Sequence, residues 1–308
     1  MEASITFKSV AKKIKDETLL AELTFGVEKN TIFSIVGPNG SGKSTILKLV
    51  CGLICKDKGS IYVKGYDLDN KIEEIKSIIG YMPQNNQLDN DLTVLENLSL
   101  YAQLSGCNKD KAIKSSQFIS DRLRLNKYLN CYPENLSFSI LRMISFARSV
   151  VHDPEILILD EPTLYLDPIN RDLIWSYLNE IKHNKTIFYA TQNFYESQEY
   201  SNRIAILYDG SIKYNGTFNY LVKNTFGLAR FMLSFSNGIP DTIKKSLSLR
   251  PNIIKPTMID NKLKFYSTDK MEFFKILRES IDCDINDIDS SKCTLEDIFK
   301  GINPGESE

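Results

Sequence analysis

Residues 32–49 read IFSIVGPNGSGKSTILKL. An apolar run of strand length passes into a glycine-rich loop and leaves as an apolar pattern of helical period. The loop spells G-x-x-x-x-G-K-S through Gly37, Gly42, Lys43 and Ser44, and a strand before it with a helix after it is the setting a phosphate-binding loop needs. Its glycines let backbone N–H groups close around phosphate oxygens, and the helix N-terminus opposes their negative charge. Lys43 is placed to reach the terminal phosphates and Ser44 to hold Mg²⁺. The loop residues Gly37, Pro38, Asn39, Gly40, Ser41, Gly42, Lys43, Ser44 and Thr45 are therefore the candidate contacts of a nucleoside triphosphate.

Such a site needs a second half, an apolar strand ending in a carboxylate, and residues 155–163, EILILDEPT, supply one. Asp160 at the strand end would complete the Mg²⁺ shell. Glu161 beside it would polarise the attacking water, since phosphoryl transfer relies on positioning and charge stabilisation. A lone Asp-Glu pair can also be a solvated turn; four apolar residues before it and a phosphate loop upstream favour the site.

The chain of 308 residues, 42% of them hydrophobic, can bury one large core and a smaller one. Lys and Arg total 38 against 39 Asp and Glu, a net charge of -1, so no broad field points to nucleic acid or to an anionic membrane. Six cysteines (Cys51, Cys55, Cys107, Cys131, Cys283, Cys293) form no C-x-x-C pair and have two histidines beside them, which reads as reduced thiols rather than a zinc set. No apolar run has signal-peptide or membrane-span length, so a soluble cytoplasmic chain is expected. Strand-like TIFSIV, SIYVKG, ILILD and TIFYAT alternate with helical stretches to about residue 220, the pattern of an α/β sheet. The spacing predicts a first domain over 1–224 and a small α+β domain over 225–308. In the latter LARFMLSF, DTIKKSLSL, IIKPTMID, KLKFYST, KMEFFKILRES and DINDID follow the order β-α-β-β-α-β. That order fits a split βαβ, ferredoxin-like unit, with a plain helical tail as the alternative.

GPNGSGKST, then YMPQNNQLDNDLTVLENLSLYA, then ILILDEPTLYLDP, in that order and spacing, resemble the ATP-binding cassette (ABC) family of transporter ATPases over about residues 3–220. With the closing TLEDIF at Thr294–Phe299, the chain looks most like the ATPase subunits of bacterial exporters of the daunorubicin-resistance type, which carry a small C-terminal domain. The resemblance implies a P-loop nucleotide-binding domain with a helical subdomain at about 85–150, using ATP and Mg²⁺. It implies that two cassettes pair head to tail, each ATP lying between one phosphate loop and the other chain's signature helix. It also implies that Gln84 senses Mg²⁺ and the attacking water, with Asn85 to Leu98 facing an integral-membrane permease. The metal set is then Ser44, Gln84 and Asp160, and the chain sits on the cytoplasmic face of the cell membrane through the permease only. The transported substrate is chosen by the permease, and the second cassette can be an identical or a different chain.

The chain departs from the family at the signature it would offer a partner's ATP and, through Gln192 and Ile14, at the ATP it would hold itself. LSFSI, residues 136–140, occupies the place of the signature L-S-G-G-Q, with Ala147 and Arg148 matching the downstream Ala-Arg. Ser137 keeps its hydroxyl for the opposing nucleotide, but Phe138 and Ser139 stand where glycines allow close backbone approach to a phosphate, and Ile140 offers no polar group. Gln192 takes the place of the switch histidine; its amide donates a hydrogen bond but carries no charge. Neither His152 nor His183 is in register to replace it. Ile14 falls where an aromatic usually stacks on adenine, and Leu164 and Tyr165 replace a small pair before Leu-Asp. Catalysis is thus assigned to Glu161, Lys43, Gln84 and Gln192, in a transport-coupled ATPase slowed by these changes. The alternative is a weakly catalytic regulatory or structural subunit beside a more active cassette. A ribosome- or DNA-acting cassette is disfavoured by the single cassette, the absence of a long heptad insertion and the lack of basic bias.

Overall fold

The computed structural model describes residues 3–15, 17–225, 229–247, 250–267, 269–280 and 285–302; Cys283 lies outside them. Strand β3 (Ile32–Val36) is buried along its whole length, as a central parallel strand must be. Around it lie β6 (Ile79–Met82), β7 (Ile156–Asp160), β8 (Thr186–Thr191), β9 (Arg203–Tyr208) and β10 (Ser211–Gly216) in the order β10-β9-β3-β8-β7-β6. From β9 through β6 neighbouring strands run parallel. Their carboxyl ends therefore share one edge. Gln84 follows β6, Asp160 ends β7, Gln192 follows β8 and the glycine loop follows β3, which is where parallel α/β sheets gather ligands.

One face of this sheet packs on an antiparallel sheet of β1 (Ala3–Ile14), β2 (Glu17–Glu28), β4 (Lys58–Val63) and β5 (Tyr66–Asp67), ordered β2-β1-β4-β5. Phenylalanines knit the two together: Phe25 of β2 stacks on Phe33 of β3 at 5.8 Å, and Phe7 of β1 meets Phe188 of β8 edge-on at 6.5 Å. Helix α1 (Lys43–Val50) buries Ile46, Leu47, Leu49 and Val50 in the same core, and α2 (Ile72–Ile78) adds Ile75.

The other sheet face is covered by α3 (Val94–Leu104), α4 (Lys109–Arg122), α5 (Phe138–Val150) and α6 (Pro168–Ile181), with Leu98, Ile119, Phe146 and Trp175 among the residues meeting Leu157, Leu159 and Tyr189. Helix α3 starts where DLTVLENL places it, because Thr93 and Glu96 form a reciprocal capping box. Asn193 likewise caps α7 (Phe194–Tyr200) through Glu196 N–H.

The chain divides into two compact units between Asn215 and Gly216, upstream of the expected 224, because α8 (Phe218–Thr225) packs with the last helix, α11 (Leu295–Ile302). The second unit contains β11 (Ala229–Phe235), α9 (Asp241–Leu247), β12 (Ile253–Ile259), β13 (Lys262–Ser267), α10 (Lys270–Glu279) and β14 (Ile285–Lys292). Its sheet runs β12-β13-β11-β14 with antiparallel neighbours, the arrangement of a split βαβ unit. Phe231, Leu233 and Phe235 alternate inward from β11 against Ile243, Phe273 and Ile276. TLEDIF is the start of α11: the Thr294 hydroxyl and N–H both donate to the Asp297 carboxylate, the Asp297 N–H returns the cap by donating to the Thr294 hydroxyl oxygen, and the carboxylate also accepts the Tyr266 hydroxyl at 2.8 Å from the sheet.

Candidate functional site

At the shared strand edge the loop after β3 turns back on itself. Gly37 has no room for a side chain, since a Cβ there would lie 2.2 Å from the Leu207 carbonyl oxygen, and Gly42 adopts a left-handed φ of 100° as it leads into α1. Lys43 is buried in this loop and donates to the Gly37 and Pro38 carbonyls, each at 2.8 Å. Burial lowers its pKa, and the nearby Glu161 and Asp160 charges oppose that shift. The Ser41 hydroxyl is buried with no hydrogen-bond partner, an unfilled polar position facing inward from the loop.

Asp160, 1% exposed at the end of β7, accepts the Ser44 hydroxyl at 3.1 Å on one oxygen, while its other oxygen is buried and unbonded. Desolvation raises its pKa. A carboxylate oxygen left bare beside a serine hydroxyl is chemically suited to a divalent cation. Glu161 turns away from the strand with a left-handed φ of 49° and accepts the Thr191 hydroxyl at 3.2 Å. Burial pushes its pKa up to about 7, against the pull of Lys43 and reinforced by the Asp160 charge. Gln192 contributes its backbone N–H toward Glu161, and its side chain is exposed. A cavity of about 290 Å³ is lined by Asn39, Gly40, Lys43, Ser44, Gln84 and Glu161, with Thr45, Gly42 and Leu19 completing it. The fold thus brings Lys43, Ser44, Gln84, Asp160 and Glu161 together.

Ser137, expected at an opposing chain's nucleotide, and Ile14 do not line this cavity. Ser137 precedes α5 in N-cap geometry but makes no side-chain cap, and it comes with Phe138, which is 49% exposed at the first helical position. The Phe138 ring meets Tyr165 edge-on at 5.0 Å, so LSFSI and LYLDP touch within one chain. Ile14, at the end of β1, is 52% exposed, and Leu19 of β2 takes the place beside the cavity.

One residue escaped the sequence reading. Arg142 of α5 is fully buried, and its guanidinium donates to the carbonyls of Pro83 and Gln84 at 2.8 Å, of Glu161 at 2.6 Å, and of Asp160. Burial pulls its pKa to about 10, so it stays charged at neutral pH. Its one visible trace is an Arg inside the apolar run ILRMISFA, where a buried charge calls for dedicated partners. A separate groove of about 500 Å³, lined mainly by Cys51, Leu53, Ile79, Tyr81, Tyr101 and Leu104, opens between the end of α1 and the end of α3.

The family model described as ABC transporter matches residues 20–164, which hold the glycine loop, Gln84, Ser137 and Glu161. The Nod factor export ATP-binding protein I of Burkholderia lata is 30% identical over 247 residues, 80% of this chain and 81% of that protein. ABC transporter A family member 11 of Dictyostelium discoideum is 37% identical over 221 residues, 71% of this chain, which spans only 26% of that much longer protein. Among solved structures, the dimeric ATP-binding cassette MJ0796, in a post-hydrolysis state bound to ADP and Pi, superposes with a TM-score of 0.65 at 25% identity, covering 69% of this chain and 98% of the cassette.

Proposed function

We propose, from the premise that the chain belongs to the ABC transporter family, that it is an ATP-binding and ATP-hydrolysing subunit powering a separate integral-membrane permease, an exporter. The observation that carries the reading is the carboxylate pair: Asp160 with one oxygen bare beside Ser44, and Glu161 buried across the cavity from Lys43. In this reading the loop Gly37–Thr45 wraps the phosphates, with the unpartnered Ser41 hydroxyl turned to a phosphate oxygen and Lys43 released from its loop carbonyls toward the terminal phosphates. Ser44, Asp160 and Gln84 would hold Mg²⁺, which would supply charge to neutralise the phosphates. Glu161 orients the attacking water and draws on its proton, with Thr191 fixing the carboxylate and Gln192 facing the terminal phosphate.

The partners follow from the same reading. A second cassette, identical or different, brings its signature helix to this chain's nucleotide and receives Ser137 at its own. The groove of Leu53, Tyr101 and Leu104, which touches β6 just before Gln84, is the surface we assign to the permease. The unit from Gly216 onward supports the dimer or its regulation. Membrane attachment runs through the permease at its cytoplasmic face; among the described residues no helix is long and apolar enough to cross a membrane.

A second reading has its own observation: Phe138, half-exposed and braced by Tyr165, stands where a partner's phosphate would need bare backbone. It favours a weakly catalytic subunit that depends on a different, more active cassette. Steady-state release of phosphate from Mg-ATP, compared with a Glu161→Gln variant, tests the primary reading; equal rates overturn it.

A further inference from the structure

Helix α5 holds the loop after β6 along a stripe of residues three apart. Arg142 donates to the Pro83 and Gln84 carbonyls, Ser145 bonds the Asn86 side chain at 3.1 Å, and Arg148 donates to the Gln87 carbonyl. Residues at this spacing lie one above another on a helix, so successive loop residues are fastened to successive turns of α5. The second fork of Arg142 holds the Asp160 and Glu161 carbonyls at the end of β7. One planar, fully buried cation therefore bridges the two segments that carry Gln84 and Glu161. Charged donors make the stronger hydrogen bonds, and the geometry of a guanidinium admits two acceptors on each side. Glu161 itself sits at a left-handed φ of 49°, a conformation that a residue with a side chain keeps only when its surroundings hold it there.

We propose that Arg142 is a positioning residue: it locks Gln84 and Glu161 to α5, so that a displacement of α5 moves both together and sets the geometry of the attacking water. This rests on the ATPase reading above and adds to it the route by which the helical layer controls the reaction. Arg142 does not line the cavity of Lys43, Ser44, Gln84 and Glu161. Its effect runs through backbone carbonyls, which makes it separable from the phosphate-binding residues. A lysine keeps the charge but not the fork, so it can serve one loop and not two.

The test uses the full chain with Arg142→Lys, Arg142→Met and Arg148→Met. Measured are kcat and KM for Mg-ATP, binding of a fluorescent ATP analogue, melting temperature, and hydrogen exchange over 83–87 and 161–166. Arg142→Met is expected to lower kcat about 100-fold while KM and analogue binding change less than about threefold, because misplacing a reacting group by about 1 Å acts on the chemical step rather than on ground-state binding. Arg142→Lys should recover part of kcat, and both segments should exchange faster in step. A folded Arg142→Lys or Arg142→Met with wild-type kcat overturns the proposal, as does a loss of kcat matched by an equal loss of analogue binding. If Arg142→Met does not fold, Arg148→Met decides: faster exchange over 83–87 with reduced kcat supports it, and unchanged kcat overturns it. A wild-type chain that neither binds nor hydrolyses ATP defeats the ATPase reading itself, and this inference with it.

Discussion

Glu161 shows most plainly how burial prepares a side chain for chemistry. Its carboxyl ordinarily titrates near 4.5 and in the fold near 7, so between those values the folded chain keeps a proton that the unfolded chain has lost. Rising pH through that window therefore removes stability, on the order of 3 kcal/mol when complete. Glu161→Gln is expected to raise the melting temperature of the nucleotide-free chain by about 5 °C or more at pH 8, with the gain vanishing toward pH 4.5. A gain that does not vary with pH would count against burial as the cause. Phe138 carries the opposite kind of consequence on the proposed reading, which sets it against another chain's nucleotide. In an assembly of identical chains, Phe138→Gly is expected to raise phosphate release about tenfold by reopening backbone N–H groups to the opposing phosphate, at the loss of the Tyr165 ring contact. Turnover that stays level or falls would show that this helix start is not a limiting part of the site.

At the scale of elements, the site is a row of strand ends. The order β3-β8-β7-β6 sets the glycine loop, Gln192, the two acids and Gln84 side by side; the glycine loop and the acids were legible because each follows an apolar run with its own motif, whereas the strand order leaves no mark on sequence and Gln84 and Gln192 stood out only through the family resemblance. The Arg142 network was not legible, because it joins residues 18 to 59 positions apart through backbone carbonyls, which leave no mark on sequence. Ile14 and the cavity part company for a different reason. The β1–β2 pairing shifts register between Val10 and Lys12 and again between Lys12 and Lys13, so an ungapped alignment cannot say which side chain reaches the nucleotide. TLEDIF was legible as a motif but not as a function; in the fold it is a capping box tied to Tyr266. The groove between α1 and α3 also belongs to this scale. Leu104 is 77% exposed at its rim, and Leu104→Glu is expected to abolish co-purification with the proposed permease while the chain keeps its melting temperature. Undiminished recovery of the complex would remove the groove from the interface.

For the molecule as a whole, one large unit gathers Lys43, Ser44, Gln84, Asp160 and Glu161 at one strand edge, and on the proposed reading Gln192 and Ile14 alter the chain's own nucleotide site while Phe138 and Tyr165 alter its contribution to a partner's. Net charge of -1 provides no long-range attraction to draw in either partner, so assembly rests on local surfaces. On the proposed reading, Asp160 at the β7 strand end would hold the metal and Glu161 beside it would activate the water. The most direct test is steady-state phosphate release from Mg-ATP by the chain assembled with the permease proposed for it, wild type against Glu161→Gln. The account predicts a fall of about 100-fold or more with ATP binding retained, since a group acting only on the transition state is removed. Equal rates in the two would contradict it.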